Sequence, residues 1–211
     1  QQRFKVIILT VAAVFICYID RVVISLAIIP MSEEAGWSET EKGLILGSFY
    51  IGYMITQIYG GLLSDRIGAK IVLGTGLIVW SLFTLITPVA FYGGIIALIV
   101  ARIGMGLGEG ITFPAWHSLY ARWIPFSERA RSVAVTNSAI PIGTIFGLVV
   151  TPMIILNYGW EWAFYLYGGL GFIWYYFWNR VVQSTPSEDK NISEEELEFI
   201  NENAPANEKA K

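Results

Sequence analysis

Apolar residues run along this chain in long blocks, not in alternating or one-faced patterns. Six blocks can be drawn, over residues 4–31, 43–63, 71–90, 94–120, 131–156 and 160–182. Each approaches or exceeds the ~20 residues that a helix needs to cross ~30 Å of hydrocarbon. A helix in lipid is apolar all round, so block length and not periodicity is the guide. The pattern predicts an all-α membrane protein with six transmembrane helices. Residues 6–19 have the length of a signal-peptide core. The apolar run nevertheless continues past Asp20-Arg21 to Met31 with no small-residue cleavage site, so a retained helix is expected.

The polar residues between the blocks are asymmetric. With the N-terminus inside, Arg3, Lys5, Arg66, Lys70, Arg122, Arg129, Arg131 and Arg180 all fall on the inner side. The outer connections carry Lys42 beside Glu33, Glu34, Glu39 and Glu41. This positive-inside bias predicts cytoplasmic N- and C-termini. Trp37, Trp160 and Trp162 belong near the outer interface, and Trp123 and Trp178 near the inner one. After Val182 the chain turns polar. The expected division is therefore a six-helix bundle over 1–182 and an acidic cytoplasmic tail over 183–211. In that tail Ser193-Glu194-Glu195-Glu196 has a capping-box pattern, and Leu197 and Ile200 follow at helical spacing. A short amphipathic helix within a flexible segment is expected.

Composition agrees. The 211 residues are 55% hydrophobic and 15% charged, well below the quarter charged of a soluble domain. The net charge of -3 comes mostly from the tail, which leaves a nucleic-acid partner without support. The single cysteine, Cys17, cannot form an internal disulfide and reads as a small buried hydrophobe.

Candidate chemistry comes from four charges inside the apolar blocks: Asp20, Arg21, Arg102 and Glu109. A charge at the bilayer centre costs from roughly 2.5 to above 10 kcal/mol, so such residues face the bundle interior, a partner or a cavity. Two acids and two bases can be neutral together, which suits a site that holds an anion and trades a proton. A guanidinium grips a carboxylate or phosphate in two-pronged fashion. Arg21 and Arg102 are therefore the anion-holding candidates, and Asp20 and Glu109 the proton carriers. The plainer alternative is a pair of buried salt bridges that fix helix register. Arg102 and Glu109 lie ~10 Å apart along one helix face, too far for a tight mutual pair, so each is expected to look across to another helix. Asp20 and Arg21 diverge by ~100°, so one is expected to face the cavity and the other to pack against a neighbour.

Glu109 sits among Gly104, Gly106, Gly108 and Gly110. Gly104 and Gly108 fit the small-residue spacing that lets membrane helices approach closely. Pro141 and Gly143 are candidates for a bend or unwound turn in the fifth span. The only histidine, His117, is expected in the inner vestibule.

Residues 61–70, with Gly61, Asp65, Arg66, Gly68 and Lys70, resemble the signature between the second and third helices of the major facilitator superfamily. Ile71 stands where a further basic residue is common. Other segments resemble the anion:cation symporter family within it, which includes bacterial sugar-acid transporters, sialin, vesicular glutamate transporters and plastid phosphate transporters. They are Tyr18-Ile19-Asp20-Arg21, residues 52–61, residues 102–110 with Phe113-Pro114-Ala115, and Trp123-Ile124-Pro125 ending in Glu128-Arg129. The resemblance implies a secondary transporter with no enzymatic activity and no cofactor or metal. Its partners would be a small anion, a proton, membrane lipid and a second, C-terminal six-helix half. It implies that Arg21 and Arg102 hold the anion and that Asp20 and Glu109 couple protons, as in galactonate-type members. Leu46 stands where vesicular glutamate transporters have a histidine, and Asp20 is present where their acid is absent; both departures favour the proton-coupled sugar-acid type. Gly61, Asp65, Arg66, Gly68, Arg129 and Arg131 would form a conformational latch in which Asp65 pairs with Arg129 or Arg131. The fold implied is the N-terminal half of such a transporter, made of two inverted three-helix repeats. A bacterial protein would sit in the inner membrane.

The rival classes have less behind them. Phosphate transport and Na+ coupling fit the same family, though nothing resembles a dedicated sodium cage. A regulatory or nonfunctional half-transporter is a further alternative. An intramembrane serine hydrolase would need a Gly-flanked serine with a histidine in reach. Ser118 follows His117, but no Gly-x-Ser-x-Gly occurs.

Overall fold

In a computed structural model, residues 1–203 are described; residues 204–211, including Pro205 of the acidic tail, lie outside them. The described chain is all helix and turn. Its elements are α1 (Gln2–Ala35), α2 (Glu39–Ile67), α3 (Ala69–Tyr92), α4 (Ile95–Gly110), α5 (Thr112–Trp123), α6 (Phe126–Tyr158) and α7 (Trp160–Val181). A 3-10 turn (Pro186–Glu188) and α8 (Glu194–Glu202) follow. α1, α3, α4 with α5, and α6 are long and apolar enough to cross a membrane. α2 and α7 have the length too, but glycine, tyrosine and tryptophan dilute their apolar content. Together these make six membrane-length units in the order the apolar blocks predict.

The fourth unit is broken into α4 and α5 around Ile111. Proline cannot donate to the carbonyl four residues back, and its ring crowds it. For Pro114 that carbonyl belongs to Gly110, the last residue of α4. α6, by contrast, runs unbroken through Pro141 and Pro152, so of the bend or unwound turn considered for Pro141 the unwound turn does not form. Gly143 instead lets α6 lie against α1. A Cβ there would fall 2.7 Å from the Phe15 carbonyl oxygen and 3.3 Å from the Tyr18 Cβ.

An internal repeat shows in the joints. α2 and α3 are separated only by Gly68, at φ 93°; α6 and α7 are separated only by Gly159, at φ 96°. Positive φ is strained for any residue with a Cβ, so a one-residue joint of this kind favours glycine. The two joints lie at opposite ends of the bundle. The principal packing pairs are α2 with α4, α1 with α6, α3 with α4, and α3 with α7, followed by α1 with α7. Exchanging the units α1–α3 and α4–α7 maps these pairs onto one another. This is the inverted three-helix repeat.

Two aromatic and polar clusters close the ends. At one end Phe91 lies 5.3 Å from Trp37 and 4.9 Å from Trp160, and the Trp160 indole donates to Glu34 at 3.2 Å. At the end where the chain starts, the Trp123 indole donates to the Gln183 carbonyl and Trp178 to the Lys70 carbonyl. α8 docks there as well. Ser193 caps it by accepting from the Glu196 amide. The Glu196 side chain does not complete a capping box. It instead accepts from the Gln2 and Arg3 amides at 2.9 and 3.1 Å, at the start of α1. Arg3 bridges onward to Glu128 of α6 at 3.1 Å. Ile200 is buried against the bundle. A nine-residue helix is marginal in isolation, so these contacts hold α8 in place.

Candidate functional site

The four intramembrane charges come together where the middle of α1 meets the second half of α4, each with a different environment. Arg21 of α1 donates to Oε2 of Glu109 on α4, from Nε at 3.1 Å and from Nη2 at 2.8 Å. Glu109 is fully buried, while the Arg21 side chain is 21% exposed, so the pair has one open side. The rings of Tyr18, Phe49 and Tyr53 lie 4.9, 5.3 and 4.8 Å from the Arg21 guanidinium carbon. This cage holds the cation in a fixed place through ring–cation attraction.

Asp20 faces away from that side. It is wholly buried, and its Oδ2 accepts from the Trp80 indole of α3 at 3.1 Å. Its Oδ1 has no partner among the described residues. The divergence expected of adjacent helical residues therefore resolves as Arg21 toward the open side and Asp20 toward α3. Arg102 is also buried, at 2% exposed. Its Nη1 donates to the Met105 thioether at 3.0 Å, and among the described residues no carboxylate lies within ion-pair distance. The two guanidiniums flank one ring, with the Arg102 carbon 5.1 Å from the Phe49 centroid and the Arg21 carbon 5.3 Å from it. The structure thus brings all four residues into one cluster, but only Arg21 reaches an accessible surface.

α4 can occupy this crowded position because of its glycines. Gly106 and Gly110 face α2, where a Cβ would strike the Phe49 and Tyr53 carbonyl oxygens. Gly104 and Gly108 face Phe83 and Trp80 of α3. Backbone-close packing on both sides places Glu109 within reach of α1 and puts Trp80 beside Asp20.

The latch residues gather at the end where the chain starts. Asp65 accepts from Ser118 at 3.2 Å and lies 3.9 Å from Arg122. This corrects the expected pairing of Asp65 with Arg129 or Arg131. Arg129 turns back to donate to the Ala121 and Ile124 carbonyls at 2.7 and 3.4 Å, capping the end of α5. Arg66 and Arg131 are exposed. Gly68 sits where a Cβ would lie 2.7 Å from the Ser184 hydroxyl, and Lys70 donates to Gln183 at 3.0 Å. Beside Gly61 and Asp65 a groove of about 770 Å³ opens between α5 and α8, with Arg122 and Ile200 among its walls. His117 is exposed and stacked on Trp116, with Nδ1 2.8 Å from the Phe113 carbonyl. Ser118 turns to Asp65 instead of His117, so the two do not form a hydrolytic dyad.

Sequence reasoning missed Trp80, Phe49, Tyr53 and Cys17 as members of the site. Trp80 carries a usable signal. It lies in mid-span, away from both interfacial belts, where its N–H needs a buried acceptor. The others look like ordinary apolar or aromatic core residues.

A six-unit bundle with an inverted repeat and ion-paired charges on the leading helix of each unit defines half of a transporter fold. The chain belongs to the Major Facilitator Superfamily, whose model matches residues 10–208. It is 43% identical over 199 residues to the chloroplastic ascorbate transporter of Arabidopsis thaliana, covering 94% of this chain and 37% of that protein. It is 41% identical over 210 residues to the chloroplastic sodium-dependent phosphate transport protein 1 of Arabidopsis thaliana, covering all of this chain and 41% of that one. It is also 40% identical over 164 residues to sialin of Homo sapiens, covering 78% of this chain and 33% of that protein, in line with the branch that the sequence segments resemble. The fold is also that of a bacterial homologue of the human lysosomal transporter Spinster in an inward-facing, occupied conformation, with TM-score 0.79, 20% identity, and coverage of 87% of this chain and 45% of that one. The chain therefore spans about a third to two fifths of the length of the curated relatives it matches.

Proposed function

We propose that this chain forms one wall of the transport site in a secondary active transporter that moves an organic anion together with a proton. The supporting observation is the Arg21–Glu109 pair, buried on one side and open on the other, inside a bundle of membrane helices. The coupling follows from charge. Asp20, Arg21, Arg102 and Glu109 sum to zero. An anion that takes Glu109's place on Arg21 would leave the site one charge negative in a low-dielectric interior, which is costly. Uptake of one proton by the released Glu109 restores neutrality. Anion and proton therefore enter and leave together.

In this reading Arg21 is the primary anion anchor, and its aromatic cage keeps it oriented when Glu109 lets go. Arg102 supplies positive potential from behind Phe49 and becomes a direct contact after rearrangement. Asp20 is a second proton-carrying carboxylate, held by Trp80. Gly61, Asp65, Arg66, Gly68, Arg129 and Arg131 belong to the inner latch, with Arg122 added as Asp65's partner. Residues 1–182 form the transport bundle and residues 183–211 begin the link to a second, C-terminal six-helix half. The Lys and Arg distribution supports a cytoplasmic position for both termini. A sugar acid or related carboxylate suits a guanidinium anchor within aromatic rings.

The test uses the full-length protein in proteoliposomes, with labelled ascorbate, D-galactonate and inorganic phosphate supplied in turn. An inward pH gradient should drive accumulation of a carboxylate. Glu109→Gln should abolish that accumulation and leave exchange intact, and Arg21→Ala should abolish both. Undiminished proton-driven accumulation by Glu109→Gln would sink the coupling assignment. The sodium-dependent phosphate relative gives a second reading specific content. Accumulation of phosphate under a sodium gradient, with no response to pH, would favour it.

A further inference from the structure

We propose that Cys17 is a positioning residue that orients the Glu109 carboxylate, so that Oε1 is the oxygen that takes the proton. The inference rests on the reading of Glu109 as a proton carrier. The two oxygens of Glu109 are unlike. Oε2 accepts from Arg21 Nε at 3.1 Å, from Arg21 Nη2 at 2.8 Å and from the Cys17 thiol at 3.4 Å. Oε1 is equally buried, and no described protein group reaches it.

An arginine fork commonly spans both oxygens of a carboxylate. Here both of its N–H groups converge on one oxygen. Cys17 lies four residues before Arg21 on α1, so thiol and guanidinium project from one face of that helix. Turning the carboxylate to give Arg21 both oxygens would draw Oε2 away from the thiol. The S–H group is a weak, uncharged donor. It thus holds Oε2 on the α1 side without adding a positive charge that would oppose protonation. The other titratable or charged groups that feel Glu109 are Tyr18, Asp20 and Arg21 of α1, Tyr53 of α2 and Arg102 of α4. None of them hydrogen-bonds to Oε1.

A cysteine that only fills space would be indifferent to the chemistry of Glu109, and infrared difference spectroscopy separates the two roles without any substrate. The full-length protein is examined in hydrated films across a pH series. The S–H stretch of Cys17, assigned by its loss in Cys17→Ala, should lie below the free-thiol position and move back toward it in Glu109→Gln. The protonated carboxyl band of Glu109, assigned by its loss in Glu109→Gln, should shift in Cys17→Ala and return toward its original position in Cys17→Ser, whose hydroxyl can still donate. An S–H band at the free-thiol position that ignores Glu109→Gln overturns the proposal. So does a Glu109 band that is the same in Cys17→Ala and the parent. If Glu109 shows no protonated band at any pH, the proton-carrier reading fails, and the positioning proposal with it. The S–H response then reports separately on the thiol–carboxylate contact. If Cys17→Ala does not fold, Cys17→Val, which likewise carries no donor, takes its place in both measurements.

Discussion

The Arg21–Glu109 pair should behave as one energetic unit, and a double-mutant cycle measures this directly. At 2.8 Å the two charges attract by roughly 6 kcal/mol if the effective dielectric constant is about 20. Desolvation offsets much of that, so the net worth of the pair is far smaller. Removing one partner is a different matter, because the other charge is left in place without compensation, at a cost of about 3–5 kcal/mol. Two local features moderate the cost. Glutamine at 109 can still accept one hydrogen bond, and Arg21 keeps its three rings and its open side. The lower end is therefore expected, about 3 kcal/mol for Glu109→Gln and about the same for Arg21→Gln. The double variant has no stranded charge. It should cost well under the sum, giving a coupling energy of about 2 kcal/mol. For chains of this size each kcal/mol moves the melting temperature by about 2–4 °C, so each single variant should melt about 6–12 °C lower. The assay is thermal unfolding of the full-length protein in detergent, followed by tryptophan fluorescence and circular dichroism. A coupling energy below about 0.5 kcal/mol would mean that the two sites are independent and that the pair organises nothing.

Four further outcomes are expected. Gly106→Ala should destabilise by about 1–3 kcal/mol, because its Cβ would strike the Phe49 carbonyl and lie 2.9 Å from the Tyr53 amide; Gly47→Ala, with open space around it, should melt like the parent. Trp80→Phe should cost about 1–3 kcal/mol by leaving Asp20 without its donor, and the same change in an Asp20→Ala background should cost measurably less. Glu196→Gln should loosen α8, read as faster hydrogen–deuterium exchange over residues 194–202 and at the start of α1, with no change in α3. Hydrogen bonds from the Ser38 hydroxyl and amide hold the Glu41 carboxyl below the usual carboxylate range. The stabilisation of this cap is therefore present above the ordinary carboxylate pKa and lost as pH falls through Glu41's lowered value. Amide exchange at the start of α2 should quicken on acidification; Ser38→Ala, which keeps the amide donor, should weaken that dependence, and Glu41→Gln should remove it.

The sequence by itself determined the number and order of the membrane-length units. In lipid every backbone polar group must be satisfied within its own helix, so each unit must be written as a long apolar block. It determined which residues carry chemistry, since a charge in such a block is too costly to be incidental. It also showed that Asp20 and Arg21 point apart, because adjacent helical residues must. Only the tertiary structure decided where they point. Four glycines let α4 press against α2 and α3, and that approach places Glu109 on Arg21 and Trp80 on Asp20. No spacing along the chain encodes these contacts, because they depend on how far one backbone can enter another. The Asp65 pairing shows the same limit. Arg122, Arg129 and Arg131 lie within ten residues of one another at one end of the bundle, and charge alone cannot choose among them. The end of α5 claims Arg129 for its own carbonyls and leaves Arg122 on the face toward Asp65. Chain chemistry supplies the candidates, and packing selects the partners, because hydrogen bonds and ion pairs reward distances that only the folded backbone sets.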